Sequence, residues 1–170
     1  MGDPVFFWLQ DEEPYGVFSQ WAYSPFVDKD GLRWENVEQF FMAMKAKHFN
    51  DVCTYNILRR TTHPKTCKAL GRQVSSFDEN KWKKKSMMVA YVGNMMKFSQ
   101  NDHIKTLLLE TEDRPIYESS PKDHVWGIGL TATDAAVLSS DEYPGKNQLG
   151  KTLMKVRSSL KNPISDTSQL

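Results

Sequence analysis

The segment from Asn36 to Phe49 carries Val37, Phe40, Phe41, Met44 and His48 at steps of three and four. That spacing places one stripe of a helix against a core. Gln39, Ala43, Ala46 and Lys47 fall on the opposite side, so the pattern predicts that they face solvent. Upstream, Val5-Phe6-Phe7-Trp8 reads as a short strand and Pro14-Tyr15-Gly16 as a turn. Pro25, Asp28, Asp30 and Gly31 mark another turn, after which Leu32-Arg33-Trp34 leads into the helix. Downstream, Asp51 is placed to cap a helix running to about Arg60, and Thr62 or Pro64 to open one ending near Gly71. Phe77 or Asp78 begins the longest helix, whose Met88, Tyr91, Val92, Met95 and Met96 form a wide apolar face. Asn101 or Asp102 starts a helix through Leu109, Pro115 to Glu118 reads as a strand, and Gly150 to Leu160 as a final amphipathic helix. The expected fold is α+β and mostly helical, with a few short strands.

The 170 residues have the length of one ordinary domain, expected to span residues 1–161, with a polar tail over 162–170 that lacks order. Lysine and arginine number 22 against 21 acids, a net charge of +1, so any nucleic-acid contact has to be local. Cys53 and Cys67 have no CxxC or Cys/His spacing and are expected to be reduced, and the four histidines show no metal-ligand spacing. No metal and no cofactor is expected. The start of the chain lacks a basic stretch followed by an apolar run, and no segment is apolar enough to span a bilayer. A soluble, cytoplasmic protein without a membrane partner is the expectation.

Two charges break the helical pattern. Glu38 and Lys45 lie seven residues apart, almost in line between the Phe41 edge of the stripe and the pair Met42 and Phe49. Two turns separate them by roughly 10 Å, too far for a direct pair along one helix. Either each finds a partner elsewhere in the fold, or the two line one pocket for a substrate that is partly cationic and partly anionic. A second candidate is Glu118 to Leu130, where Gly127 and Gly129 flank Ile128 just after Trp126. The glycines either form a structural turn or let the backbone approach a flat ligand or phosphate. Glu118 and Asp123 beside that turn suit ribose hydroxyls or positive charge on a sugar carbon. In the long helix Lys81, Lys83 and Lys84 read as a solvated face, whereas Trp82 and Lys85 project to the apolar side. There they form either a stacking ring beside a phosphate anchor or a core tryptophan with a snorkelling lysine.

Six separated motifs then occur in a familiar order. These are Tyr15-Gly16-Val17-Phe18-Ser19-Gln20-Trp21; Val37-Glu38-Gln39-Phe40 with Met44-Lys45-Ala46; Gly93-Asn94 with Lys97 to Asn101; Glu118-Ser119-Ser120-Pro121 with Asp123; Trp126 to Leu130; and Asn147 with Leu149-Gly150-Lys151. Together they resemble the NADAR family, also called YbiA-like, over roughly Val5 to Leu160. The resemblance implies a compact, mostly helical domain that hydrolyses the bond between ribose C1 and a nitrogen base. It implies substrates such as ribosylamino pyrimidine phosphates of riboflavin synthesis or ADP-ribose on guanine, so that ADP-ribosylated nucleic acid is a possible partner beside small ribosyl molecules. The alternative is a non-catalytic module that binds ADP-ribose or NAD. By the same resemblance, Glu38 and Asp123 share the catalytic roles. Lys45 and Lys85 hold phosphate, and Trp82 or Trp126 stacks on the base. Phe18, Ser19, Glu118, Ser120, Gly127, Gly129 and Asn147 complete the substrate contacts.

Overall fold

The computed structural model describes residues 2–162; of the tail expected over 162–170, residues 163–170 lie outside the described residues. Among them the elements run β1 (Val5–Phe7), β2 (Phe26–Val27), β3 (Arg33–Trp34), α1 (Val37–His48), α2 (Val52–Leu58), α3 (Pro64–Gly71), α4 (Glu79–Gln100), α5 (Asp102–Glu110), β4 (Ile116–Glu118), α6 (Ala132–Ala135) and α7 (Gln148–Lys161). The expected α+β, mostly helical architecture is what the chain forms. Asn36, Asp51 and Asp78 cap their helices by accepting from the backbone N–H groups of Gln39, Thr54 and Lys81. The single turn α6 and the two-residue strand β2 carry too little periodicity to stand out in the sequence.

The first and last thirds meet through a parallel pair in which Val5, Phe6 and Phe7 of β1 stand beside Ile116, Tyr117 and Glu118 of β4. Around it Phe7, Phe18, Phe98, Ile104, Leu108, Ile116, Leu149, Leu153 and Val156 form one core cluster. A second gathers Phe26, Trp34, Val37, Phe40, Ala43, Ala46, Leu58, Cys67 and Val74 around α1. Cys67 is buried, which pushes its thiol up to about 12, whereas Cys53 is exposed, and both are free. Phe41, Trp82 and Ala90, with Trp126 against them, bridge the two clusters.

Two expectations are corrected here. Gln39, Ala43 and Ala46 do not face solvent: all three are buried, because α1 is flanked by α2, α3 and α4 at once. A helix enclosed on several sides needs small or hydrogen-bonded residues on its apparently polar face, and Gln39 meets this by donating to Leu58 O. On α4, Met88 and Val92 are largely exposed, while the buried stripe consists of Ser86, Ala90, Gly93, Asn94, Lys97 and Phe98. Close approach of α1 explains the small residues, since a Cβ on Gly93 would lie 2.9 Å from Phe40.

The segment after β4 is stitched to the start of α7. Asn147 holds a left-handed conformation (φ 52°) and is buried, with its side chain accepting from Glu118 N and donating to Ile116 O. Gly150 packs so closely on Ile116 O and the Asn147 amide that a side chain has no room. Gly150→Ala is therefore expected to destabilise the fold by roughly 3 kcal/mol through displacement of β4, measured as a lower urea midpoint.

Candidate active site

Glu38 sits in the first turn of α1, its N–H donating to Gln20 O, and its carboxyl is buried with Oε1 lacking a partner. Glu118 ends β4, and its Oε2 is likewise buried and unpartnered. The four ion pairs among the described residues all lie elsewhere, so neither acid is directly paired. Burial is the main reason that the Glu38 carboxyl is pushed up to about 7; the Asp123 charge adds to this, while Lys68, the Trp21 side chain and Arg72 act the other way. Burial likewise pushes Glu118 up to about 8, helped by the charges of Asp123 and Glu38 and opposed by Lys68. Acids distant in sequence thus act on one another at the seam between the two core clusters. Strongly perturbed carboxyls cluster at functional sites.

Asp123 is oriented by an Asx turn, its Oδ1 accepting from Val125 N at 2.9 Å and Trp126 N at 2.8 Å. The same turn sets the Trp126 ring edge-on to Phe41, 5.3 Å between centroids. Lys68 of α3 and Arg72, just past its end, supply the positive charge, and the Lys68 ammonium lies 5.8 Å from the Trp21 ring. Neither cation nor Trp21 figured among the sequence candidates. The i, i+4 spacing of Lys68 and Arg72 was the available signal, but a mixed-charge helix face is common and did not single them out.

The remaining sequence candidates divide. Lys45 found partners of its own: it donates to Gly71 O at 2.7 Å and lies 3.9 Å above the Phe77 ring, tying down the end of α3 that carries Lys68 and Arg72. It still senses Glu38, although burial and Arg72 lower its affinity for a proton. Phe18 is not at the site surface; it is fully buried between Phe7, Tyr15 and Phe98. Ser19 is buried, its hydroxyl accepting from Trp21 N, and Ser120 is buried against Gly127.

Gly127 and Gly129 serve internal packing: a Cβ on Gly127 would lie 2.9 Å from Glu118 O, and Gly129 has φ +74° with His124 against it. Asn147 has its amide committed to β4, as described above. Trp82 packs edge-on to Phe41, 5.2 Å between centroids, the ring that Trp126 also meets. With Lys85 it lines a cavity of about 300 Å³ that also includes Phe40, Met44, Lys47, His48, Met88, Val89 and Val92, and Lys85 does not turn towards the core but is exposed. Lys85 and Met88 lie at the margin of the contact between α4 and α1, where both remain exposed.

Lys97 was also missed as a functional candidate. It is completely buried, donates to Val17 O at 2.6 Å and Ser19 O at 2.8 Å, and burial holds it down to about 7. These bonds anchor the stretch leading to Gln20 and Trp21, which in turn borders Glu38.

Carboxyls that sense one another, with cations and aromatic rings near them, form an arrangement of the kind suited to charge development on a small polar ligand. The NADAR domain model matches residues 6–161, and the chain belongs to that family. It is 38% identical to an N-glycosidase of Acanthamoeba polyphaga mimivirus over 90% of this chain and 94% of that one. It is 30% identical to an N-glycosidase of Nostoc punctiforme, covering 91% and 92% of the two chains. A riboflavin biosynthesis protein of Vibrio vulnificus is 28% identical over 94% of this chain, which spans 39% of that longer protein. The fold is similar to the NMR structure of the E. coli protein YbiA, with a TM-score of 0.76 and 29% identity, covering 95% of this chain and 87% of that one. No helix among the described residues is long and apolar enough to cross a membrane.

Proposed function

We propose that this protein is an N-glycosidase that cleaves the bond between ribose C1 and a nitrogen base, and that Glu38, Glu118 and Asp123 form its acidic centre. The observation that carries this is that Glu38, buried, and Glu118, half-buried with Oε2 enclosed, each keep a carboxyl oxygen without a partner, both with raised proton affinity and both sensing Asp123. As the C1–N bond breaks, its electron pair leaves with nitrogen and positive charge builds on C1 and the ring oxygen. Glu38 as a carboxylate stabilises that charge. Glu118, the acid that holds its proton to higher pH, delivers it to the departing nitrogen. Water then adds to C1 and loses a proton to a carboxylate of the cluster, with Asp123 held by its turn to orient it. The net result is free base and free ribose, with no atom unaccounted for.

The cations fit the other end of such a substrate. Lys68 and Arg72 would hold a phosphate of a ribosyl phosphate or of ADP-ribose, in place of Lys85, and Trp126 or Trp21 would border the base. Lys68→Ala and Arg72→Ala are each expected to raise KM for a phosphorylated substrate about tenfold with a smaller effect on kcat, read from steady-state kinetics. The substrate classes are those that the relatives' names and the family suggest: ribosylamino pyrimidine phosphates, or ADP-ribose attached to guanine in nucleic acid. Incubation with each, followed by mass analysis, is expected to show release of ribose 5-phosphate or ADP-ribose from at least one. Release from neither would overturn the hydrolase reading, and binding of ADP-ribose without release would favour a non-catalytic module.

A further inference from the structure

Four buried side-chain atoms among the described residues lack a hydrogen-bond partner, and all four are acceptors: Gln20 Oε1, Glu38 Oε1, Asn94 Oδ1 and Glu118 Oε2. Buried polar atoms without partners are rare enough that each needs a reason. Two belong to the acidic pair. The other two belong to residues that the packing brings beside it. Gln20 is buried, and its backbone carbonyl accepts from Glu38 N at 3.0 Å. Asn94 is reached through the register of the two central helices. Trp82 packs on His48 and Phe41, whereas Gly93 lies against Phe40 and Val37, so α1 and α4 run antiparallel. Asn94 therefore comes level with the first turn of α1, the turn that carries Glu38. It is completely buried, and its Nδ2 donates to Ala90 O at 2.9 Å, which leaves Oδ1 as the free atom.

We propose that Gln20 and Asn94 accept hydrogen bonds from the hydroxyl groups of the bound sugar and make the site specific for a ribofuranose that carries both of its ring hydroxyls. Two neutral acceptors beside the acids select a ligand that brings donors to meet them. Vicinal hydroxyls supply donors in the right number, while the carboxyls keep their own work at C1 and nitrogen. An acceptor left unpaired in the complex penalises an analogue that lacks the matching hydroxyl, whereas a purely apolar wall would not. The assignment rests on the ribosyl reading of the site but not on its catalysis, so it is tested by binding.

Calorimetry on the full chain would compare ribose 5-phosphate with its 2-deoxy and 3-deoxy analogues. The parent is expected to bind each deoxy analogue roughly tenfold more weakly. Gln20→Met and Asn94→Leu, which replace the acceptor by apolar groups of similar size, are expected to weaken ribose 5-phosphate about tenfold and to erase the discrimination at one hydroxyl each. Thermal unfolding confirms that the variants fold, and Asn94→Ser replaces the leucine variant if that one does not. Equal binding of all three sugars by the parent, no binding of ribose 5-phosphate, or unchanged discrimination in the folded variants would overturn the assignment. Discrimination in a protein that releases no base would instead uphold it and overturn the hydrolase reading.

Discussion

Glu38→Gln is expected to lower kcat for glycosidic cleavage by about 1,000-fold or more, because it removes the charge that opposes the developing cation while keeping the shape of the side chain. The same variant is expected to be more stable than the parent, and by an amount that grows with pH. Below the ordinary value of 4.5 the carboxyl is protonated in both folded and unfolded chains and imposes no penalty. Between there and about 7 the unfolded chain ionises while the folded one keeps its proton, so stability falls as pH rises. Above that range both forms are ionised and the loss is constant, on the order of 3 kcal/mol. Thermal unfolding of parent and variant should therefore diverge little at acid pH and most above neutrality. A variant that keeps full activity, or whose advantage shrinks as pH rises, would remove Glu38 from the centre of the mechanism.

Glu118→Gln is expected to act on the other limb of the pH profile. In the parent, activity should fall as pH drops through about 7, where Glu38 takes up a proton, and again as pH rises through about 8, where Glu118 loses one. The glutamine variant cannot deliver a proton to nitrogen. Its kcat should drop by about 100-fold and the alkaline fall should disappear. A substrate whose leaving group departs without protonation should suffer much less. Measuring kcat against pH with both kinds of leaving group separates this role from simple sugar binding, which would shift KM and leave the shape of the profile intact. Because the two acids sense each other, the limbs belong to the pair and not to either residue alone.

Much of the architecture could be read along the chain because its causes are local. Asn36, Asp51 and Asp78 cap helices through bonds to residues three positions ahead, and Pro64 opens α3 as the first helical residue. Glu38 stood out for a similar reason: a charge within an apolar helical sector is visible from spacing alone, and its burial follows. What spacing could not supply was the partner on each side. Lys45 has the same phase as Glu38, yet it is satisfied by Gly71 O and the Phe77 ring, residues far along the chain. Trp82 and Lys85 had the chemistry of a ligand site and the phase to match, yet only Trp82 is buried, against Phe41 and His48, while Lys85 stays exposed.

The order of polar and apolar residues was enough to establish the helices, their caps, the family motifs and one anomalous carboxylate, since each depends on interactions within a few residues. Which charges meet was decided only when β4 paired with β1 and α4 crossed α1. That folding brings Glu118, Asp123, Lys68 and Arg72 within electrostatic reach of Glu38, and leaves Gln20 and Asn94 with unpartnered oxygens in the interior. Desolvation is the physical reason for the difference. A raised proton affinity comes from the exclusion of water by surrounding side chains, and that enclosure exists only in three dimensions.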